Sequence, residues 1–231
     1  ARRALGLLES AAERAERVIE REHVAAALES RLPDYDKGGE AHYDVISAFI
    51  KSLRGSDPDA AVYWLARMLE GGEEPRFIAR RLIIFASEDV GNADPNGLVV
   101  AVAAAEAFDR IGLPEGKLIL SQATTYLACA PKSNASMLAI AAASEAVKEH
   151  GALPVPLPLR NAPTELMREL GYGKAYRYPH DFASHFVREQ YLPDALSKTH
   201  FYEPSDQGHE AETAARQRKR WTEPEDGGEE R

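Results

Sequence analysis

Three alanine-rich apolar segments follow one another in the middle of the chain, and they limit what it can fold into. Leu98 to Phe108, Leu118 to Ala130 and Met137 to Val147 are each long enough for about three helical turns. None shows the period-two alternation of a half-buried strand. Short breaks separate them, at Ile111-Gly112-Leu113-Pro114 and around Pro131. Apolarity nearly all round marks a buried helix. Three such helices in a row are hard to bury in one chain, because a domain of about 130 residues hides only roughly 68–70% of its unfolded surface. Some of this surface is therefore expected to lie between copies of the chain.

The flanking sequence continues the helical pattern. Ala1 to Ala12 is a helix former without a cap, and Glu20 to Arg31 carries Val24, Ala27 and Leu28 on one face. Pro33 to Glu40 reads as a polar linker. Val45, Ile46, Phe49, Ile50 and Leu53 place one helical face on His42 to Leu53. Ser56-Asp57-Pro58 starts the next helix with a cap and a first-turn proline, and Gly71-Gly72 stops it. An apolar face from Phe77 to Phe85 then meets the corner SEDVGNADP, in which Gly91 offers a left-handed exit and Asp94-Pro95 a restart. Ser133 is placed to cap the third apolar helix. Four prolines between His150 and Pro163 keep that stretch extended. Thr164 to Leu170 is a short helix ended by Gly171, and Tyr172 to Pro204 is irregular and rich in aromatics. Gln207 onward, with Arg216 to Arg220 and Glu223 to Glu230, reads as a mobile charged tail with about one helical turn. The fold class is all-α.

Several chemistries are disfavoured. The 231 residues carry a formal net charge of −9, which argues against a general nucleic-acid sponge but leaves room for a local basic patch. One cysteine, Cys129, excludes an internal disulfide, and its apolar helix predicts a buried side chain. The longest apolar run, Gly97 to Ala105, is far short of the roughly 18 residues of a membrane span. A phosphate cradle needs G-x-x-x-x-G-K-[ST]. Gly173-Lys174 is followed by alanine and Gly116-Lys117 by leucine, so this chain alone should turn over no nucleotide. The histidines show no zinc-ligand spacing, and no metal is called for.

Two constellations remain. Glu88, Asp89 and Asp94 crowd one corner, where paired carboxylates serve acid–base work or a hard cation. The competing reading is a rigid elbow, since Asp94 already has a capping task, and a small hydrolase built on this corner is disfavoured. The run YGKAYRYPH, Tyr172 to His180, interleaves Lys174, Tyr176, Arg177 and Tyr178, as a single-strand binder does. The competing reading packs the tyrosines beneath prolines and leaves the cations solvated, and the acidic whole favours it.

Longer motifs carry a resemblance. HYDVISAFIKSLRGSDPDAAVYWLARML (His42 to Leu69), ARRLIIFASEDVGNADP (Ala79 to Pro95), APKSNAS (Ala130 to Ser136), VPLPLRNAPTELMRELGYGKAYRYPHD (Val155 to Asp181) and QYLP (Gln190 to Pro193) stand in order. Together they resemble the C-terminal part of the replication-associated recombination protein A family of AAA+ ATPases, whose eukaryotic relatives are the Werner-helicase-interacting ATPases. The likeness covers about Ala1 to Pro204. ARRALGLLE resembles the family's sensor 2 helix, with Gly6 where asparagine is usual, and Arg2 falls on the arginine that reaches the nucleotide phosphates in the intact protein.

The resemblance implies a helical AAA+ lid and junction over residues 1–70. It implies a helical oligomerisation domain similar to a clamp-loader collar over 71–203, and the tail occupies 204–231. It further implies a homotetramer, DNA as a partner of the intact protein, and cooperation with single-strand-DNA-binding protein at stalled forks. Cofactors would be ATP and Mg in the intact protein and none in this chain, and the location cytoplasmic and nucleoid-associated with no membrane. The start at Ala1, without methionine, is read as a cut that leaves an ATPase core upstream.

Overall fold

The computed structural model describes residues 12, 18–24 and 40–222. The helix expected over Ala1 to Ala12, most of that over Glu20 to Arg31, nearly all of the linker after Pro33, and Arg2 lie outside the described residues. Among the described residues every regular element is helical, and no helix is long and apolar enough to cross a membrane. The chain forms two compact units that interleave in sequence. One takes residues up to Phe85 together with Val99–Cys129, the other Ala86–Leu98 together with residues from Ala130 onward.

The first unit is built on large apolar side chains. Helix α1 (Glu40–Arg54) buries Val45, Phe49, Ile50 and Leu53 on the face its spacing predicts. Helix α2 (Pro58–Glu70) starts where Asp57 Oδ1 accepts the Ala60 N–H at 2.9 Å, with Pro58 in the first turn. It ends where the Gly71 and Glu73 N–H groups donate to the Arg67 and Met68 carbonyls. Ala61, Leu65 and Met68 form its inner stripe. Helix α3 (Pro75–Phe85) contributes Ile78, Ala79, Leu82 and Phe85. Helix α4 (Asn96–Ile111), whose residues from Val99 onward belong here, and helix α5 (Gly116–Cys129) complete the unit, and α5 packs against α1, α2 and α3. Leu120, Ala123, Thr124, Leu127 and Ala128 are its buried positions. Two surface ion pairs, Arg76–Asp109 at 2.8 Å and Lys117–Glu70 at 2.7 Å, span these helices. Being exposed, they add little.

Two expectations fail here for one reason. Helix α4 is not buried all round, since only Ala101, Ala104 and Phe108 point inward while Leu98, Val99 and Val102 are exposed. Cys129 is exposed, not a buried hydrophobe. Only one stripe of each helix is covered, so apolar residues off that stripe stay in water. Leu118 is 73% exposed.

The second unit begins where α3 loosens into a π-helical turn, Ala86–Val90, and a 3-10 turn, Gly91–Ala93. Helix α6 (Ala135–His150) follows, but buries only Ala135, leaving Leu138, Ile140 and Val147 exposed. The proline-rich stretch is extended apart from a 3-10 turn at Leu157–Leu159. Helix α7 (Glu165–Glu169) is capped by Thr164, whose Oγ1 accepts the Met167 N–H. After an irregular segment comes helix α8 (Gly208–Thr222). The sequence reading of a mobile tail with one helical turn is therefore corrected over these residues. Alanines, arginines and a glutamine favour helix locally, cations in the last turn complement the helix dipole, and Glu210 and Ala214, one turn apart, are its buried face.

Candidate functional site

The second unit closes around a carboxylate that the sequence did not single out. Glu210 is fully buried. Its Oε1 accepts the Tyr202 hydroxyl at 2.5 Å, and its Oε2 accepts the Ser205 hydroxyl at 2.6 Å and the Ser205 N–H at 3.1 Å. The Ser133 side chain is a further hydrogen-bond partner. Burial alone would raise the Glu210 pKa, but the donors from Ser133, Ser205 and Tyr202 outweigh it and hold the group below its ordinary value. Burial, and then the bond to Glu210, push the Tyr202 phenol up, so it keeps its proton and remains a donor.

This network gathers three stretches far apart in sequence. Asn92 Nδ2 donates to the Tyr202 hydroxyl and to Ser136 Oγ, both at 3.2 Å. The Ser133 N–H donates to the Asp89 carbonyl at 2.8 Å, and Ser133 Oγ accepts the Ala135 N–H at the start of α6. Two glycines permit the close approach. Gly91 has φ +51°, and a Cβ there would lie 2.7 Å from the Ser133 carbonyl oxygen. Gly208 has φ +49°, and a Cβ there would overlap the Ala93 carbonyl oxygen. Neither backbone state suits an L side chain.

Of the corner carboxylates, Asp94 Oδ1 accepts the Asn96 N–H at 3.1 Å, opening α4 as its sequence suggests. Asp89 is buried and lends its backbone carbonyl to Ser133, and Glu88 is half-buried. The ionised group at the centre is Glu210, and donors fill its lone pairs. A carboxylate saturated with donors and held below its ordinary pKa is suited to be a structural acceptor rather than a general base. Among the described residues no group of three or more metal-ligating side chains is gathered.

The basic aromatic run forms a separate surface. Lys174 is exposed, Tyr176 is 46% exposed and Tyr178 53%. The idea that these two tyrosines pack beneath prolines is corrected: Tyr176 borders an open hollow with Pro158, Arg160 and Tyr191 but is not buried in it. Arg177 pairs with Glu189 at 3.3 Å and lies 4.8 Å over the Phe182 ring, so it is held by the protein and not merely solvated. Tyr178, His180 and His185 form a tilted stack with centroid separations of 5.1 and 4.8 Å. Tyr172 instead turns inward, beneath the Arg160 guanidinium, which donates to its hydroxyl at 3.1 Å.

Sequence reading missed Glu210, Tyr202 and Ser205. The one available signal was Glu210 preceding Ala214 by a helical turn, too weak beside the charge of the segment.

Comparison with known proteins covers both parts of the chain. The family described as "AAA C-terminal domain" matches residues 1–54. The family described as "MgsA AAA+ ATPase C terminal" matches residues 55–221, so all of α8 but its last residue lies inside the match and the likeness does not stop at Pro204. The chain is 50% identical over 216 residues to the replication-associated recombination protein A of Coxiella burnetii, covering 91% of this chain and 49% of that protein. It is 47% identical over 217 residues to the Escherichia coli K12 protein of the same name, with 91% and 48% covered. It is 43% identical over 187 residues to the ATPase WRNIP1 of Dictyostelium discoideum, with 80% and 21% covered. The chain thus spans about half the length of the bacterial relatives it matches. On the extent of these matches, carried through the Glu210 corner and α8, the chain belongs to the MgsA AAA+ ATPase C-terminal family.

Proposed function

We propose that this chain forms the lid and the C-terminal assembly region of a DNA-dependent AAA+ ATPase acting in DNA replication, recombination and repair at stalled forks. The names of its relatives support the ATPase, replication and recombination parts. The observation that carries the assembly part is unburied apolar surface. In the first unit Val99, Val102 and Leu118 are exposed, and in the second Leu138, Ile140 and Val147. Fully burying one such side chain is worth about 1.5–3 kcal/mol, so these faces favour contact with further copies. A closed symmetric assembly removes them without open-ended growth. The reading is a homotetramer with interfaces drawn from residues 71–202. ATP and Mg belong to the intact protein, in a cytoplasmic, nucleoid-associated setting with single-strand-DNA-binding protein as partner. The chain holds no phosphate cradle of its own, and Arg2 is the one residue proposed to reach a nucleotide.

Light scattering at micromolar concentration tests the assembly. A mass four times the 25.4 kDa of the chain is expected, with Leu138→Lys/Ile140→Lys shifting it downward. A monomer would overturn the reading. In the intact ATPase, turnover should rise when single-stranded DNA is added, and indifference to DNA would overturn the DNA-dependent part.

A second reading has its own observation. Exposure of Lys174, Tyr176 and Tyr178 on one irregular segment suits a single-stranded-DNA accessory surface. If it serves that way, Tyr176→Ala/Tyr178→Ala weakens binding to single strands, with no change in assembly mass.

A further inference from the structure

Helix α6 is held to its unit mainly at one end. Of its residues only Ala135 is buried, and Leu138, Ile140 and Val147 are exposed. Further along, Ala143, Ala146 and Val147 border an open apolar hollow of about 440 Å³ with Leu192, Leu196 and Phe201. Small side chains beside an unfilled hollow leave the helix room to shift, because a gap forfeits the contacts that would fix it.

The start of α6 is tied differently. Ser136 Oγ accepts from Asn92 Nδ2 at 3.2 Å, and the same amide donates to the Tyr202 hydroxyl. Tyr202 in turn donates to Glu210. Glu210 also engages the Ser133 side chain, whose Oγ accepts the Ala135 N–H. Two hydrogen-bonded routes therefore run from the start of α6 to one residue at the start of α8. Helix α8 is itself lightly held. Glu210 and Ala214 are its buried residues, and every residue from Ala215 to Thr222 is exposed. Its far end rests on Trp221, edge-on to Phe186 at 5.5 Å, and on an Arg188 N–H donated to the Arg220 carbonyl at 3.2 Å. A helix with so little buried apolar area opens before the core around Phe49 and Leu127 does.

We infer that α8 is a releasable clasp on α6. Docked, it fixes the direction in which α6 leaves the Gly91 elbow; released, it loosens α6 from the first turn onward. Losing Glu210 from its place leaves the Tyr202 and Ser133 hydroxyls without the acceptor that orients them, and through Tyr202 it frees Asn92 and Ser136. The coupling runs both ways, so a firmly held α6 also keeps α8 docked. Because α6 carries Leu138 and Ile140, the clasp sets how the face assigned above to assembly is presented, a consequence that rests on that reading.

The test is amide hydrogen exchange on the full chain, in a Leu138→Lys/Ile140→Lys background so that contact with further copies cannot mask α6. Ala214→Arg forces a charge into the buried side of α8 and alters no residue of the network. Exchange along α8 should rise roughly tenfold. Exchange from Leu138 to Ala141 should rise with it by roughly 2- to 10-fold, the range that one hydrogen bond is worth. Amides near Phe49 and Leu127 should not change. Adding Ser136→Ala, which cuts one route and leaves Glu210 with its donors, should shrink the response of α6 to Ala214→Arg. If Ala214→Arg opens every helix alike, Trp221→Ala, which removes only the ring contact at the far end, is held to the same pattern. Faster exchange in α8 with α6 unchanged overturns the inference, as does an α6 response that Ser136→Ala leaves at full size. A parent chain found monomeric by light scattering overturns the assembly reading alone, because exchange is read in a background without that face.

Discussion

The two units reach stability by different physics. The first buries Phe49, Leu53, Met68, Ile78, Leu82, Phe85, Leu120 and Leu127 almost completely. Among the described residues of the second, the buried apolar ones are Ala86, Val90, Ala93, Ala130, Ala135, Val187 and Ala214, none larger than valine, and beside them lie Asp89, Ser133 and Glu210. One unit is held by apolar area, the other by a saturated polar network and by backbones that touch at Gly91 and Gly208. The comparison shows that a chain with abundant apolar residues does not spend them evenly. The second unit leaves Leu138, Ile140 and Val147 outside while a carboxylate occupies its centre.

Substitutions can break the comparison. The largest effect should come from the first unit. Phe49→Ala should cost about 3–5 kcal/mol and Leu127→Ala about 2–5 kcal/mol, since both leave cavities in a close-packed core. Denaturant unfolding checks this, and a cost below the ranges would mean that the core collapses around the gap. In the second unit Glu210→Ala should cost about 2–4 kcal/mol, because Tyr202, Ser205 and Ser133 lose their acceptor at about 1–3 kcal/mol each before water offsets part of it. If the loss is negligible, the network is ornamental and the contrast fails. Gly208→Ala should cost about 1–2 kcal/mol from the left-handed backbone alone, and more from the contact with the Ala93 carbonyl.

The smallest effect sharpens the picture at the aromatic segment. Tyr176→Ala should change stability by no more than about 1 kcal/mol, because the ring is half in water. A core-like loss would place the ring in the interior after all.

Legibility in the sequence follows the same divide. The face of α1 was readable, because Val45, Phe49, Ile50 and Leu53 recur at helical spacing, whereas the apolar face read from Phe77 to Phe85 took in Ile84, which is exposed. Asp57-Pro58 announced the start of α2. Thr164 announced α7 in the same way. Periodicity also marked α4, α5 and α6, but it cannot say which apolar stripe finds a partner. Val99, Leu118 and Ile140 were legible as helical and not as exposed, and Cys129 was misplaced for that reason. Of the second unit's centre, the sequence showed the elbow of Gly91 and Asp94. It hid Glu210, because a carboxylate among charged neighbours looks solvated until Tyr202, Ser205 and Ser133 converge on it through long-range contacts. Arg2 depends on a stretch outside the described residues.

The contrast is tested most directly by the acid limb of unfolding, read from the second unit alone. The chain has two tryptophans, Trp64 in the first unit and Trp221 on α8. In a Trp64→Phe background, emission therefore follows α8. Glu210 is held below its ordinary pKa, so its contribution is fully present above the unfolded carboxylate value of about 4.3 and is lost as pH falls through the folded value. Unfolding midpoints should be measured from about pH 7 to about pH 3 for this chain and for the same chain with Glu210→Gln. The account predicts a gap in favour of Glu210 at neutral pH that closes on acidification. A gap of constant size across the range, or none at neutral pH, would contradict it.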